Sequence, residues 1–210
     1  KRTESSSLNI YTVEESKNIL WQSEYFPIVE IPLNLFLLAG LRFGEMAGLL
    51  WEDIDFEKNT LMIRNNLVYV NGKYYLRKTK TDGSTRDITV PEHLMHLLKK
   101  EKIRQNKLKI QGLINNEHDV VCLNSKYKYW NNTSFTTAYK TFLNKINMRY
   151  VKLHSLRHSH ATMLIASGTD MKTVSARLGH TDIKITLNIY SHILKEMDNT
   201  ASNNIEKLLL

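Results

Sequence analysis

The sequence predicts an α+β fold that is mainly α, with a helical bundle and a small three-stranded antiparallel sheet. Several segments carry apolar residues at helical spacing beside capping residues, whereas residues 60–90 combine β-rich runs with hairpin dipeptides. The 210 residues are 42% hydrophobic and 24% charged, which is typical of a globular chain long enough to bury a full core.

The charge of the chain favours a polyanionic partner. Lys and Arg number 29 against 21 Asp and Glu, which gives a formal net charge of +8. Neither a Gly-x-x-x-x-Gly-Lys-Ser/Thr loop nor a Gly-x-Gly-x-x-Gly turn occurs in the sequence, which argues against nucleotide hydrolysis and against a dinucleotide cofactor. We therefore predict no cofactor.

The single cysteine, Cys122, excludes an internal disulfide. It lies in the apolar run 120–123, which predicts a buried strand with Cys122 as a small core hydrophobe. The longest apolar run, residues 32–41, is too short to span a bilayer, and no signal peptide opens the chain. These features predict a cytoplasmic protein that does not act at a membrane.

The N-terminal part predicts a linker followed by two helices. Residues 1–10 are mostly polar and Ser-rich, as expected of a linker that follows an upstream segment. Thr12 and Glu15 fit a capping box that opens a helix over residues 13–23. A second helix is predicted over residues 31–39, with a proline in its first turn and Gly40 at its end.

The middle of the chain predicts strands and then two further helices. Asn71-Gly72 and Asp82-Gly83 are hairpin dipeptides, so three antiparallel strands are the simplest arrangement for residues 60–90. Apolar spacing then predicts a long helix over residues 91–111, basic on one side, and another over residues 134–146.

The C-terminal stretch concentrates the residues that carry chemistry. His154 and Arg157 are three residues apart, so a helix that starts near His154 presents an imidazole and a guanidinium to one ligand, which suggests a phosphate. Gly168 and Gly179 each follow an apolar segment and are predicted C-terminal caps, which divides the stretch into three short helices. The corners between them can bring four side chains into one cleft: His154, Arg157, His180 and Tyr190.

This stretch resembles the tyrosine recombinases, the integrases of phages and conjugative transposons. The resemblance rests on His154-Ser155-Leu156-Arg157, then Leu178-Gly179-His180, then Tyr190, in the order and spacing of that family. A second match lies upstream in Gly40-Leu41-Arg42-Phe43-Gly44-Glu45. The resemblance covers nearly the whole chain and implies the integrase-type catalytic fold.

The resemblance also implies a role for each matching residue. Arg42 and Arg157 would bind the scissile phosphate and so contact DNA, with Glu45 as a supporting residue. Tyr190 would be the nucleophile, His154 the base and orienting donor, and His180 a second phosphate contact. The spacing of Lys80 to Ser84-x-Arg86-x-Ile88 assigns Lys80 as the DNA-contacting proton donor, and Lys78 is the alternative, two residues away on the same strand face.

The family further implies an organisation and a partner. Residues 1–10 would link to an N-terminal core-binding domain, residues 11–194 would form the catalytic domain, and residues 195–210 would form a helix that docks on a neighbouring protomer. The substrate would be double-stranded DNA at attachment sites, bound by a homotetramer in the synaptic complex, with the isolated chain possible as a monomer. The reaction would need neither metal nor ATP.

Three other functions compete with this one. His154, His158 and His160 cluster in the sequence, but a zinc hydrolase would want a nearby carboxylate base, and the His-Glu-x-x-His pattern is absent, so His158 and His160 are predicted to be structural. A non-catalytic DNA-binding module would not need Tyr190 beside arginines, histidines and a lysine. A type IB topoisomerase would share the chemistry but would relax DNA without sequence preference.

Overall fold

The structure is a computed structural model that describes residues 9–79, 85–180, 182–184, 186–187 and 190. Seven α-helices and five short strands alternate in groups along this part of the chain. The elements in chain order are α1 (Val13–Ser23), α2 (Pro27–Ala39), α3 (Phe43–Ala47), β1 (Ile54–Asp55), β2 (Thr60–Ile63), β3 (Asn65–Val70), β4 (Lys73–Lys78), β5 (Arg86–Thr89), α4 (Glu92–Ile110), α5 (Asn132–Lys145), α6 (Leu153–Ala166) and α7 (Met171–Leu178). The predicted mainly helical α+β class is confirmed.

The first helix has the predicted bounds, and the second begins earlier than predicted. The Thr12 side chain and Glu15 form the predicted capping box at the start of α1. Helix α2 starts at Pro27, four residues before the predicted start, because a proline at the first helical position has a suitable φ and needs no hydrogen-bond acceptor. Pro32 therefore lies inside the helix and not in its first turn.

Helix α2 is the centre of the main hydrophobic core. Most of its residues are buried, and it contacts α1, α4, α5 and α6. It ends at Gly40, whose φ of +67° is the left-handed conformation that a glycine adopts without a Cβ penalty. The chain turns at this glycine directly into the segment that carries Arg42.

The strands pair differently from the predicted set of three consecutive strands. One antiparallel sheet has the order β1–β2–β5, and a separate hairpin joins β3 to β4 through the predicted Asn71-Gly72 turn. The predicted turn at Asp82-Gly83 lies outside the described residues. Leu61, Ile63 and Ile88 are buried, and pairing β5 beside β2 places all three on the face of the sheet that packs on the core, an arrangement that sequence separation could not reveal.

The apolar run that contains Cys122 is buried, but it is not a strand. Val120 forms an isolated bridge with Leu50 and Leu123 forms one with Tyr129, so the run contacts two different partners and builds no continuous ladder. Cys122 is buried in the main core, as predicted, and burial raises the pKa of its thiol. It therefore packs as a small hydrophobe.

Helices α6 and α7 form a second, smaller hydrophobic cluster that holds the ring of Tyr190. Gly168 follows α6 with a φ of +88° and Gly179 follows α7 with a φ of +63°, which confirms the two predicted helix ends. The proposed C-terminal helix and residues 1–8 of the linker lie outside the described residues. Within the described part of the chain, no helix is long and apolar enough to cross a membrane.

Candidate active site

The Gly40 turn presents Arg42 at the start of α3. The backbone nitrogen of Arg42 donates to Glu45 Oε2 over 2.8 Å, and its Nη1 donates to Glu45 Oε1 over 2.8 Å. Its Nη2 reaches the carbonyl oxygen of Gly179 at 3.3 Å. Arg42 therefore connects the first sequence motif to the turn that precedes His180.

Glu45 is a buried carboxylate with arginines around it. Its side chain is 1% exposed and receives a two-pronged hydrogen bond from Arg86, with both distances 3.0 Å, while Arg157 Nη1 lies 3.8 Å away. Burial acts to raise the pKa of the Glu45 carboxyl, but Arg86, Arg42 and Arg157 outweigh it and hold the pKa below its ordinary value. Glu45 is thus an anion that organises cations.

Arg157 is buried on α6 and is positioned by backbone oxygens. Its Nη1 donates to Gly40 O over 2.8 Å and its Nη2 donates to Leu178 O. Burial, followed by repulsion from Arg42, lowers the pKa of Arg157 to about 9, so the guanidinium remains a cation at neutral pH. Because the carbonyls engage only part of its five-donor fork, the group can still bind an anion.

Tyr190 and two histidines lie beside Arg157. The Tyr190 hydroxyl shares a hydrogen bond of 2.8 Å with His158 Nδ1, and the ring of His154 meets that of His158 edge-on at 4.7 Å. Burial raises the pKa of Tyr190, while Arg157 acts to lower it. Although its surface is exposed, His154 is partly desolvated by its neighbours, and this desolvation, followed by the charges of Arg157 and Arg42, lowers its pKa.

His180 lies directly after the Gly179 turn, as its Leu-Gly-His motif implies. Its Nδ1 shares a hydrogen bond of 2.8 Å with Thr186 Oγ1, which fixes the ring orientation. Burial, Arg157 and Arg42 lower the pKa of His180 to about 4. A neutral imidazole at this position can offer one N–H to a phosphate oxygen.

The two candidate lysines differ in what the structure describes. Lys80 lies outside the described residues. Lys78 is the exposed last residue of β4 and lines a cavity of about 400 Å³ that also contacts Arg42 and Glu45. The β3–β4 hairpin therefore delivers its basic end to the arginine cluster, and the choice between Lys80 and Lys78 stays a prediction.

Sequence reasoning gave no site role to Arg86 or His158. Arg86 belongs to the Ser84-x-Arg86-x-Ile88 pattern that assigns Lys80, so the sequence did mark this residue. Its contact with Glu45 exists only because the fold brings β5 close to α3. His158 is predicted to be a buried or hydrogen-bonded structural residue, and the structure gives it a hydrogen bond to the hydroxyl of Tyr190. Only the three-dimensional path of the chain after Gly179 brings these two side chains together.

His160 has a structural role, as the sequence predicted. It is buried, its Nδ1 pairs with Leu37 O at 2.8 Å, and its Nε2 accepts from Arg177 Nε over 3.2 Å. Both ring nitrogens are therefore occupied in the neutral form. Burial lowers the pKa of His160 to about 4, with Arg177 and Arg157 acting in the same direction.

Acidification is expected to destabilise the fold through His160. Its pKa is 6.5 ordinarily and about 4 in the folded chain, so the unfolded chain binds more protons between these values. Stability that is fully present above pH 6.5 is lost as the pH falls towards 4. At about pH 5 the loss from this group is about 2 kcal/mol, measurable as a lower free energy of unfolding in urea than at neutral pH.

His160→Gln should reduce that difference by the contribution of His160, because glutamine does not titrate, while the contributions of His158 and His180, whose pKa values are also lowered to about 4, remain. The exposed His93→Gln provides the matched control and should keep the full difference. An unchanged pH difference in His160→Gln would contradict this assignment.

The chain matches the phage integrase family model over residues 10–197. It is 35% identical over 192 residues to a XerC-like tyrosine recombinase of Caldanaerobacter subterraneus subsp. tengcongensis, covering 84% of this chain and 49% of that protein. It is 28% identical over 220 residues to the ICEBs1 integrase of Bacillus subtilis, covering 100% of this chain and 60% of that protein. The chain thus spans about half to three fifths of the length of these relatives.

Solved structures share the fold. The Tn1549 transposon integrase in complex with a circular intermediate DNA superposes with a TM-score of 0.76 at 19% identity, covering 95% of this chain and 68% of that one. The XerA recombinase superposes with a TM-score of 0.71 at 18% identity, covering 96% of this chain and 66% of that one. With the family match over residues 10–197 and the motif residues gathered at one cluster, the chain belongs to the phage integrase family of tyrosine recombinases.

Proposed function

We propose that this chain is the catalytic part of a site-specific DNA recombinase that cleaves and rejoins strands through a 3′-phosphotyrosyl intermediate, and so integrates or excises a mobile element. The observation that carries the proposal is the position of Tyr190, whose hydroxyl lies at His158 next to the Arg157–Glu45–Arg42 cluster. A phenol beside convergent guanidiniums suits attack on a phosphodiester.

The arginines would bind the scissile phosphate. Guanidinium offers parallel N–H donors to phosphate oxygens and stays charged, which an ammonium group cannot match in geometry. Arg157 is held in place by Gly40 and Leu178, and Arg42 by Glu45, so both are oriented before the substrate arrives. His180 would supply a further donor to the same phosphate.

The chemistry then needs one nucleophile and one acid. Tyr190 Oη would attack phosphorus, and the bond from phosphorus to the 5′ oxygen would break. Lys80, or else Lys78, would protonate that oxygen as the general acid. Because the tyrosyl ester conserves the energy of the broken bond, another 5′ hydroxyl can reverse the step without ATP, metal or cofactor.

The organisation of the whole enzyme forms part of the proposal. Residues 11–194 would be the catalytic domain, residues 1–10 a linker, and residues 195–210 a helix that docks on a neighbour in a homotetramer on attachment-site DNA. The basic net charge of +8 supports a DNA partner. One of the structural neighbours, the Tn1549 integrase, was solved with DNA, which supports the same partner. Action in the cytoplasm is part of the same proposal.

A covalent trap tests the proposal. A nicked duplex that carries the DNA flanking the source gene loses the fragment next to the cleaved bond, so a 3′-phosphotyrosyl adduct accumulates and shifts the protein on a denaturing gel. Tyr190→Phe is expected to abolish the adduct. Tyr139→Phe should retain it, because Tyr139 is equally buried but bonds Tyr11, away from the cluster.

Persistence of the adduct in Tyr190→Phe would refute the assignment of the nucleophile. A non-covalent shift alone in the unsubstituted protein would favour a DNA-binding module. Relaxation of any plasmid without sequence preference would favour a topoisomerase.

A further inference from the structure

His158 is the residue whose side chain contacts the reacting atom of the proposed nucleophile. Its Nδ1 lies 2.8 Å from Tyr190 Oη, and the two rings lie 5.9 Å apart at an angle of 60°. The Tyr190 side chain is fully buried and packs against residues of α6 and α7. This packing fixes the position of its hydroxyl relative to His158. The contact is thus built into the fold.

The direction of this hydrogen bond follows from the chemistry of the two groups. A phenol is a strong donor, and the unprotonated nitrogen of a neutral imidazole is a strong acceptor. Burial, followed by the charges of His154 and Arg157, lowers the pKa of His158 to about 4, so the ring is neutral at physiological pH and one nitrogen carries no proton. With the proton on Nε2, Nδ1 accepts from Tyr190.

The other histidines of the cluster are less well placed for this task. His180 Nδ1 is engaged by Thr186 Oγ1. His154, to which the family resemblance gives the role of base, is exposed and meets His158 edge-on, one helical turn away from the contact with Tyr190. Among the three histidines of the cluster, His158 is the one in hydrogen-bond reach of the phenolic proton, and reach comes first for a general base.

We propose that His158 is a catalytic residue that accepts the proton of Tyr190 during DNA cleavage, an inference that rests on the proposed function. The Tyr190 Oη–H bond breaks as an Nδ1–H bond forms, and the freed electron pair of Oη makes the bond to phosphorus. The bond from phosphorus to the 5′ oxygen breaks, and that oxygen takes its proton from the lysine acid. On rejoining, the 5′ hydroxyl returns its proton to the lysine as its oxygen bonds to phosphorus. The bond from phosphorus to Tyr190 Oη breaks, and Oη recovers its proton from His158.

The resting site keeps the proton on Tyr190 until a phosphate is bound. Burial, His154 and Arg157 disfavour a cation at His158, but a bound phosphodiester adds a negative charge that offsets the positive charge of Arg157. Bond formation to phosphorus makes the phenolic proton strongly acidic, so transfer to His158 accompanies attack.

Substitution of His158 separates proton acceptance from hydrogen bonding. In His158→Asn the amide oxygen can occupy the place of Nδ1 and accept from Tyr190 but cannot take up its proton. We expect the full-length gene product with His158→Asn to form the adduct about 10²–10⁴-fold more slowly on the nicked duplex, with DNA affinity unchanged. His93→Asn, on the exposed face of α4, is the matched control and should react at the unsubstituted rate.

A modified substrate separates the base from the acid. In a duplex with sulfur in place of the bridging 5′ oxygen, the leaving thiolate needs no proton, so a defect in the lysine acid is relieved. The defect of His158→Asn should persist on this substrate. Recovery with sulfur, or a rate within about threefold of the unsubstituted protein on ordinary DNA, would overturn the inference.

A spectroscopic measurement on the unsubstituted protein does not depend on how the variant folds. Nitrogen-15 NMR should show His158 protonated at Nε2 and bare at Nδ1, with the Nδ1 resonance shifted in Tyr190→Phe. A proton on Nδ1 would overturn the inference. If Tyr190→Phe still forms the adduct, the proposed function itself fails, whereas loss of the adduct only in Tyr190→Phe and not in His158→Asn defeats this inference alone.

Discussion

Glu45→Gln is expected to lower the free energy of unfolding by about 3–5 kcal/mol, the cost of breaking a buried ion pair from one side. Glu45 is 1% exposed and accepts hydrogen bonds from Arg42 and Arg86, with Arg157 at 3.8 Å. Glutamine removes the negative charge and turns two N–H donors towards guanidiniums that also only donate. The cations of the cluster are then left without their buried anion. Urea denaturation at neutral pH measures the change.

Glu101→Gln is the matched control. Glu101 forms a two-pronged ion pair with Arg104, three residues away, but Arg104 is 50% exposed, so the expected cost is at most about 1 kcal/mol. Added sulfate should restore part of the stability of Glu45→Gln and little of that of Glu101→Gln. Only in Glu45→Gln are clustered guanidinium groups left without their anion, so only there can sulfate bind in its place. If the two variants have equal free energies of unfolding, burial of Glu45 does not increase the contribution of its ion pairs to stability.

Local signals predicted most of the helices. The capping box at Thr12 and the glycines at Gly40 and Gly179 act within one or two turns, so the helix ends they predict agree with the structure. The predicted start of α2 is four residues too late because either Pro27 or Pro32 could occupy the first turn of a helix. The packing of the whole segment selects Pro27. The strand partners could not be predicted, since β5 pairs with β2 across an intervening hairpin.

The same division between local and long-range information holds for the site. Helical spacing predicts that His154 and Arg157 share a face, and the family motifs predict roles for His180 and Tyr190, because spacing and motif order are properties of short segments. These roles stay predictions. The contacts of Arg86 with Glu45 and of His158 with Tyr190 join residues 41 and 32 positions apart in the chain. No rule of sequence spacing predicts contacts between residues so far apart in the chain. The buried partners of Glu45 and Tyr190 are therefore seen only in the folded structure.

Gly40→Ala is expected to destabilise the chain by about 2–5 kcal/mol, from backbone strain at positive φ together with overpacking. Gly40 has a φ of +67°, and a Cβ there would lie 2.5 Å from Cδ2 of His160, which is locked by its own hydrogen bonds to Leu37 and Arg177. The ring therefore has little freedom to move away. Urea denaturation of the variant measures the loss of stability.

Gly112→Ala separates the two costs, because Gly112 has a φ of +69° but no atom within 4 Å of the added Cβ. It should lose only the strain term, about 1–2 kcal/mol. Gly40→Ala combined with His160→Ala should cost less than the sum of the single changes, since removing the ring relieves the overlap. Additive costs would contradict the overlap as the cause.

The effect of Gly40→Ala should extend beyond stability to DNA cleavage. The carbonyl oxygen of Gly40 accepts from Arg157 Nη1 over 2.8 Å, so a shift of the Gly40 backbone away from His160 also displaces the guanidinium proposed to bind phosphate. A misplacement of about 1 Å can cost a catalytic site about 100-fold in rate. Covalent adduct formation, measured at a temperature where both variants are folded, should fall in Gly40→Ala and remain unchanged in Gly112→Ala. If both variants cleave equally well, the backbone at Gly40 does not position Arg157 for the reaction.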